Sequence, residues 1–450
     1  MCTILVRRIR VVAAVLAVVW SLASAAEAAG LRLAMFRCDM TPPLGHNTYP
    51  NNQPLAIIEH PLIAKGIVID DGGGQRYVLC AIDWCALCNS AHDLYRRKIA
   101  EAAGTEVARV ALHTVHQHTA PVVDLDELRG TSQSNDSVGP RDTRFYEVAA
   151  DWLAVAVRES LVCLQPFDRI GSGEAKVERV GSTRRLIDAD GKVHTPRWSN
   201  RNPMGVRERE EGIIDPLLKT ITFARGDQPL VRLHFYACHP QSFYGDPRVT
   251  YDFPGMAREE LEKNENVFQV YFTGCGGDVL VGKYNDGTRA ARDEFRGRLL
   301  RSMEAAIAAT RYVPVESIQW RAVDLRLPPL QPAASSVDDA AAKTPPDTTR
   351  PEESAYAQRL DRPLILTGLQ MGRIHILGLP GECLVDFQLY AQRVAPDDFV
   401  AVAAYADLGT GYVCTDKACD EGGYEPSATH VGRGSEALLK DAILNLLGGK

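Results

Sequence analysis

Val107-Ala108-Arg109-Val110-Ala111-Leu112 runs directly into His113-Thr114-Val115-His116-Gln117-His118-Thr119-Ala120-Pro121. The first six residues read as a buried strand, and the polar run after Leu112 reads as the loop leaving it. The same grammar repeats outward in both directions. Tyr77 to Asp83 reads as a strand followed by a helix from Ala91, and Phe145 to Leu164 reads as an amphipathic helix. Leu218 to Ala224 and Leu230 to Ala237 are strand-like, then come a short helix at Gly255 to Lys263 and a strand at Val267 to Phe272. Helical periodicity covers Ala291 to Ala309, strand signals resume at Leu364 to Leu379 and Phe399 to Tyr405, and a last helix spans Glu436 to Leu447. No internal repeat is visible. This alternation predicts an α/β protein, a single large domain with a mixed β-sheet core flanked by helices.

Composition narrows the function. The 450 residues are 45% hydrophobic and 24% charged, and 50 basic against 57 acidic side chains leave a net charge of -7. That balance argues against nucleic-acid binding and against general disorder. Arg7, Arg8 and Arg10 precede an apolar run from Val11 to Ala23 and two A-x-A sites. Residues 1–28 therefore read as a signal peptide, too short in its apolar core for a membrane span, and 29–450 as the exported, secreted or periplasmic domain. Within that domain 328–353 shifts to Pro, Ala, Ser, Thr and Asp and reads as a surface loop or linker. Export permits disulfides; Cys414 and Cys419 could close a small loop. Cys85 and Cys88 form a C-x-x-C that fits a redox site, a structural disulfide or two buried thiols.

Four chemically loaded stretches follow strands, where ligands of such folds commonly sit. The first holds His116 and His118, which share a face if the segment stays extended, whereas His113 belongs to the strand. The second is Ala237-Cys238-His239-Pro240, the third Gly378-Leu379-Pro380-Gly381-Glu382, and the fourth Gly409-Thr410-Gly411-Tyr412-Val413. Each has a plain alternative: a solvated His-rich loop, a structural His-Pro turn, a carboxylate serving a helix dipole, a tight aromatic turn. Together they offer imidazoles, a carboxylate and a phenol, a donor set that suits zinc. Gly277 to Lys283 has the G-x-x-x-x-G-K spacing of a phosphate loop, but Tyr284 stands where a Ser or Thr should hold magnesium.

Taken in order, these stretches resemble the catalytic domain of the neutral/alkaline, non-lysosomal ceramidases. His116-x-His118-x-x-Pro121 is similar to that family's H-T-H-S-G-P, Gly277-Asp278-Val279 to the start of G-D-V-S-P-N, and Thr183-Arg184-Arg185 to N-R-S. The resemblance implies one zinc ion held by His116, His239, Glu382 and Tyr412. It also implies that His118 takes part in catalysis and that Arg184 holds the substrate oxygen. Leu280 and Val281 replace the family's Ser-Pro, and Thr183 replaces its Asn. The implied protein is a short, bacterial-type relative with the catalytic domain alone.

The expected chemistry is zinc-assisted hydrolysis of an amide in an N-acyl lipid or a smaller N-acyl compound. His118 would move the proton, Arg184 would stabilise the oxyanion, and Asp278 would orient a histidine or substrate unless it merely caps its turn. An esterase or lactonase at the same metal, or an inactive binding protein of the same fold, fits the same residues. Lys283, Tyr284, Asn285, Asp286, Arg201, Arg207 and Arg209 predict a polar pocket that favours a small head over two alkyl chains. No nucleic-acid partner and no membrane span after signal cleavage are expected.

Overall fold

A computed structural model describes residues 30–48, 53–131, 143–245, 247–330 and 362–449. The expected signal peptide lies outside the described residues, as does all of the expected 328–353 loop except 328–330. Pro328 and Leu330 are held against the segment around His430, where Gly432 N–H donates to Pro328 O and Leu330 N–H to His430 O.

Three sheets are each covered by two helices, and each sheet is built the same way. In the first, β1 (Arg32–Asp39), β2 (Ile63–Asp70) and β3 (Arg76–Ile82) run antiparallel, α1 (Asn89–Ala103) crosses over, and β4 (Val110–Thr114) returns parallel to β3. Helix α2 (Thr143–Ser160) then packs against α1 and β1. The second unit repeats this path with β5 (Arg169–Lys176), β6 (Leu217–Arg225), β7 (Gln228–Tyr236), α3 (Asp252–Glu265), β8 (Phe268–Thr273) and α4 (Arg289–Ala308). The third does so with β9 (Gln319–Leu325), β10 (Leu364–Met371), β11 (Ile374–Gly378), α5 (Val385–Val394), β12 (Phe399–Ala403) and α6 (Ser435–Leu446). A threefold structural repeat therefore exists that the sequence conceals.

Strand alternation sorts the core. Val68, Val78, Cys80 and Ile82 face α1 and α2, whereas Ile67, Ile69, Leu79 and Ala81 face the centre. Leu364, Leu366, Val400 and Val402 likewise face the outer helices, and Leu369, Met371, Ile376 and Ala401 join the central core with the second unit. The period of two in each strand divides one sequence between two cores.

The parallel-paired strands meet at their carboxyl ends. Thr114 N–H donates to Tyr405 O at 2.9 Å, and Ala404 N–H donates to Thr273 O at 2.9 Å. Thr273 Oγ1 donates to Val115 O at 2.7 Å and closes the ring. Loops leaving three different sheets are thereby brought to one place.

Candidate metal centre

His116 and His118 emerge where β4 ends. Pairing stops at Thr114, and His116 adopts left-handed backbone with φ 69°, not the extended form on which the shared-face argument rested. The turn is anchored by Val115 N–H on Ile82 O at 2.8 Å and His116 N–H on Trp84 O at 2.9 Å. Both rings still converge, their Nε2 atoms 3.1 Å apart. His113 stays in β4, where its Nδ1 meets Ala404 O at 2.8 Å.

His239 and Glu382 come from corresponding loops of the second and third units, just past β7 and β11. Glu382 also pairs in register with Tyr412 in a two-residue parallel bridge. Gly381 makes that bridge possible: its φ is 54°, and a Cβ there would sit 2.0 Å from Thr410 Oγ1.

One Glu382 oxygen, Oε2, lies 2.9 Å from His239 Nε2 and 3.3 Å from His116 Nε2. Ligand atoms around a tetrahedral zinc are separated by about 3.3 Å, given metal–ligand bonds of about 2.0–2.1 Å. The outer nitrogens are committed elsewhere. His116 Nδ1 donates to Cys85 O at 2.6 Å, and His239 Nδ1 donates to Gly276 O at 2.5 Å. Each tautomer is thus fixed with its Nε2 lone pair facing Glu382, the arrangement found around bound metals. Facing lone pairs repel unless a cation or proton sits between them, so the donor set fits a divalent metal.

The electrostatics agree. Burial disfavours charge on His116, but the Glu382 carboxylate outweighs it and lifts the imidazole to about 10. Burial likewise works against a charged Glu382, yet His116 and His239 hold it well below the carboxylate range. Burial keeps His239 low, at about 4. A single positive charge is therefore favoured in this nest. His118 is pushed far down by burial and then by His116, and Gln241 Nε2 lies 2.9 Å from its ring nitrogens. It is a neutral imidazole held beside the donor set.

Arg184 is buried and donates from Nη1 to Tyr412 Oη at 3.0 Å. It also lies 3.5 Å from Glu425, with its guanidinium 4.9 Å from the Tyr424 ring centroid. Asp278 does something other than orient a histidine. Its Oδ1 accepts from Val385 N–H at 2.9 Å and caps α5, the helix that follows Glu382. Burial raises this carboxyl to about 7. Asp278 and Arg185 line a cavity of about 500 Å³ to which none of His116, His118, His239, Glu382 and Tyr412 contributes.

Several expected pocket residues are spent on bracing. Lys283 Nζ donates to Arg207 O at 3.2 Å, Tyr284 Oη to Glu211, Arg209 to Asp188 at 2.7 Å, and Asn285 to Ser242 O at 3.0 Å. Lys283, Tyr284 and Arg209 brace the loop between β5 and β6 and Asn285 braces the turn at Ser242, while Arg209 also lines the cavity beside Asp278. Val279–Leu280 pairs with Ser182–Thr183, so the G-x-x-x-x-G-K spacing builds a small ladder and no phosphate loop. Every described cysteine is a free thiol; Cys85 and Cys88 are buried, and burial raises both above the ordinary thiol value. That environment suits two buried thiols better than a redox pair.

The sequence reading missed Tyr405, Gln241 and Tyr424. Tyr405 ends the apolar run after Phe399 and looked like strand; Gln241 and Tyr424 stand outside any motif, though each lies within twelve residues of one.

Fold and site together define a mixed α/β protein with a buried His/His/Glu donor cluster raised on the carboxyl ends of strands. The chain has a neutral ceramidase-like fold. It matches the crystal structure of neutral ceramidase from Pseudomonas aeruginosa with a TM-score of 0.70 at 16% identity, over 93% of this chain and 74% of that one. A ceramidase complexed with C2 gives 0.67 at 15% identity, over 93% and 74%. No family model matches the sequence, and no curated protein does.

Proposed function

We propose that the chain is an exported zinc-dependent hydrolase that cleaves the amide bond of an N-acyl compound. The observation that carries this reading is the convergence of His116 Nε2, His239 Nε2 and Glu382 Oε2 within 4.8 Å, with both outer Nδ1 atoms anchored on carbonyls. Tyr412, paired with Glu382, completes the proposed ligand set. When bound, zinc supplies a Lewis acid that lowers the pKa of water from 15.7 toward about 7. His118, neutral and aimed at the cluster, accepts the proton of the attacking water and returns it to the leaving amine. Arg184, fixed between Tyr412 and Glu425, places a permanent positive charge where the carbonyl oxygen becomes an oxyanion. Asp278 acts at one remove, holding the start of α5 and with it the Glu382 loop. Export rests on residues 1–28; among the described residues no helix is long and apolar enough to cross a membrane.

The test is a hydrolysis screen of ceramides, N-acyl amino acids, N-acetylated sugars and matched esters with zinc present. Amide turnover that follows zinc content and disappears in His116→Ala supports the proposal. Stoichiometric zinc with no hydrolysis of any class overturns it, and faster ester than amide cleavage moves the assignment to an esterase.

A further inference from the structure

Thr183-Arg184-Arg185 sends its side chains two ways. Arg184 reaches Tyr412 at the donor cluster, whereas Thr183 and Arg185, two residues apart, line the cavity of about 500 Å³. Asp278 borders that cavity from the Gly-rich turn: its carbonyl accepts from Arg184 N–H at 2.6 Å, and its carboxylate caps α5. Asp386, half-buried in the first turn of α5, lines the cavity too.

The cations around the cavity are already engaged. Arg185 donates to Glu425 at 2.8 Å and to Glu421 at 3.0 Å, Arg209 donates to Asp188 at 2.7 Å, and Lys417 lies 3.5 Å from Glu421. The two aspartates differ: among the described residues neither Asp278 nor Asp386 forms an ion pair with a lysine, arginine or histidine. Burial, then Glu425 and Asp386, disfavour charge on Asp278, so a cation beside it would offset the cost. An anion would instead meet these carboxylates and those of Glu208 and Glu210.

The remaining wall is apolar. Leu186 is buried, while Ile187 and Ile213 stay 41% and 59% exposed. The cavity far exceeds an ammonium or metal ion and falls in the range of small-molecule sites, about 300–1,000 Å³. Two exposed isoleucines beside buried acids suit a cation that carries a hydrocarbon chain, which gains from covering them.

We propose that this cavity binds a primary alkylammonium ion, its head against Asp278 and Asp386 and its chain along Leu186, Ile187 and Ile213. The site stands apart from the donor cluster and requires neither zinc nor hydrolysis.

Calorimetric titration of the zinc-loaded protein with n-octylammonium chloride tests it, at a pH above the value of about 7 at which Asp278 ionises. Binding should be one-to-one and at least tenfold tighter than that of octanol, octanoate or ethylammonium, which lack the charge, reverse it or lack the chain. Asp278→Asn and Asp386→Asn should each weaken it at least fivefold. Ile213→Lys, at an exposed position where a lysine costs the fold little, should do the same and keeps the test open if Asp278→Asn fails to fold. No saturable binding, or octanol or octanoate bound as tightly, overturns the inference. Removal of zinc should leave the affinity within threefold. A larger change with the cavity variants unaffected puts the amine in the donor cluster and overturns the inference as well.

Discussion

The phenol ring of Tyr405 lies against the imidazole of His116, centroids 4.3 Å apart and planes 23° apart. Tyr405 also has left-handed backbone, φ 61°, and its buried hydroxyl has no hydrogen-bond partner among the described residues. The residue therefore acts through its face: it fixes the plane of the imidazole proposed as a metal ligand, whose Nδ1 is already tied to Cys85 O. Tyr405→Phe keeps the stack and deletes an unsatisfied hydroxyl, so zinc affinity should stay within about twofold and stability should be unchanged or higher. Tyr405→Ala frees the ring and should weaken zinc by about 10–100-fold, the usual cost of losing a group that orients a ligand. Competition with a chromophoric chelator reads both; equal affinities in the two variants refute the stacking role.

His118 and Gln241 separate proton transfer from metal binding. His118→Ala should lower kcat by about 10²–10⁴-fold with zinc stoichiometry unchanged. Gln241→Leu removes the amide beside the ring and should cost up to about 10²-fold through misplacement alone. Metal analysis alongside kcat decides the matter, since loss of zinc from either variant would make the residue part of metal retention.

The strands that could be read were rich in apolar, β-branched and aromatic residues, such as β3 with its Tyr77–Ile82 run and β8 with Val270, Tyr271 and Phe272. Those missed were β1, β2, β5 and β9, and for the last three the physical reason is visible. In β5, Gly171 and Gly173 stand where a Cβ would press on Thr310 and on Ala306 O, so close approach to α4 replaced β-branched side chains. In β2 the buried Lys65 breaks the apolar pattern, and its charge is met by Glu259 and Glu262 from α3. Outer strand β9 leaves three of its seven residues exposed and gave no apolar run. The threefold repeat left no trace because it resides in hydrogen-bond topology. Cys85, His239 and Gly381 stand three residues beyond the paired ends of β3, β7 and β11 and share no chemistry.

The loaded loops were legible because imidazoles and a glycine-bound carboxylate are conspicuous after strands. Their convergence was not. It depends on the hydrogen bonds among Thr114, Thr273 and Ala404, which carry no sequence signature. The same limit misdirected the reading of Lys283 and Tyr284, polar residues that face carbonyls and Glu211 instead of a ligand.

Asp278 should leave a mark on stability against pH. Burial raises its carboxyl from 3.8 to about 7, so the folded state holds a proton that the unfolded state releases above about pH 4. The sign follows: this site is most favourable below that pH, and stability is lost as pH rises toward 7, at about 1.4 kcal/mol per pH unit at most. Asp278→Asn keeps an oxygen for Val385 N–H and removes the titration. The variant should gain on the unmodified protein in denaturant unfolding between pH 4.5 and 7.5; a constant difference across that range would show that Asp278 titrates normally.

Arg258 and Asp83 join the second unit to the first. Their two hydrogen bonds measure 2.8 and 2.9 Å, and the side chains are 1% and 0% exposed. Asp83 Oδ2 also accepts from Ile63 N–H at 3.0 Å, and the next residue, Trp84, supplies the carbonyl that anchors His116. Asp83→Ala leaves a buried guanidinium without its bidentate partner and should cost roughly 3–5 kcal/mol. Replacing both, as Asp83→Leu with Arg258→Met, should recover a large share, because neither charge then has to be desolvated. Zinc affinity provides the second readout. If the pair serves the site through Trp84, the double variant regains stability but stays weaker for zinc than the unmodified protein. Full recovery of both would reduce the pair to a packing contact between α3 and the first sheet.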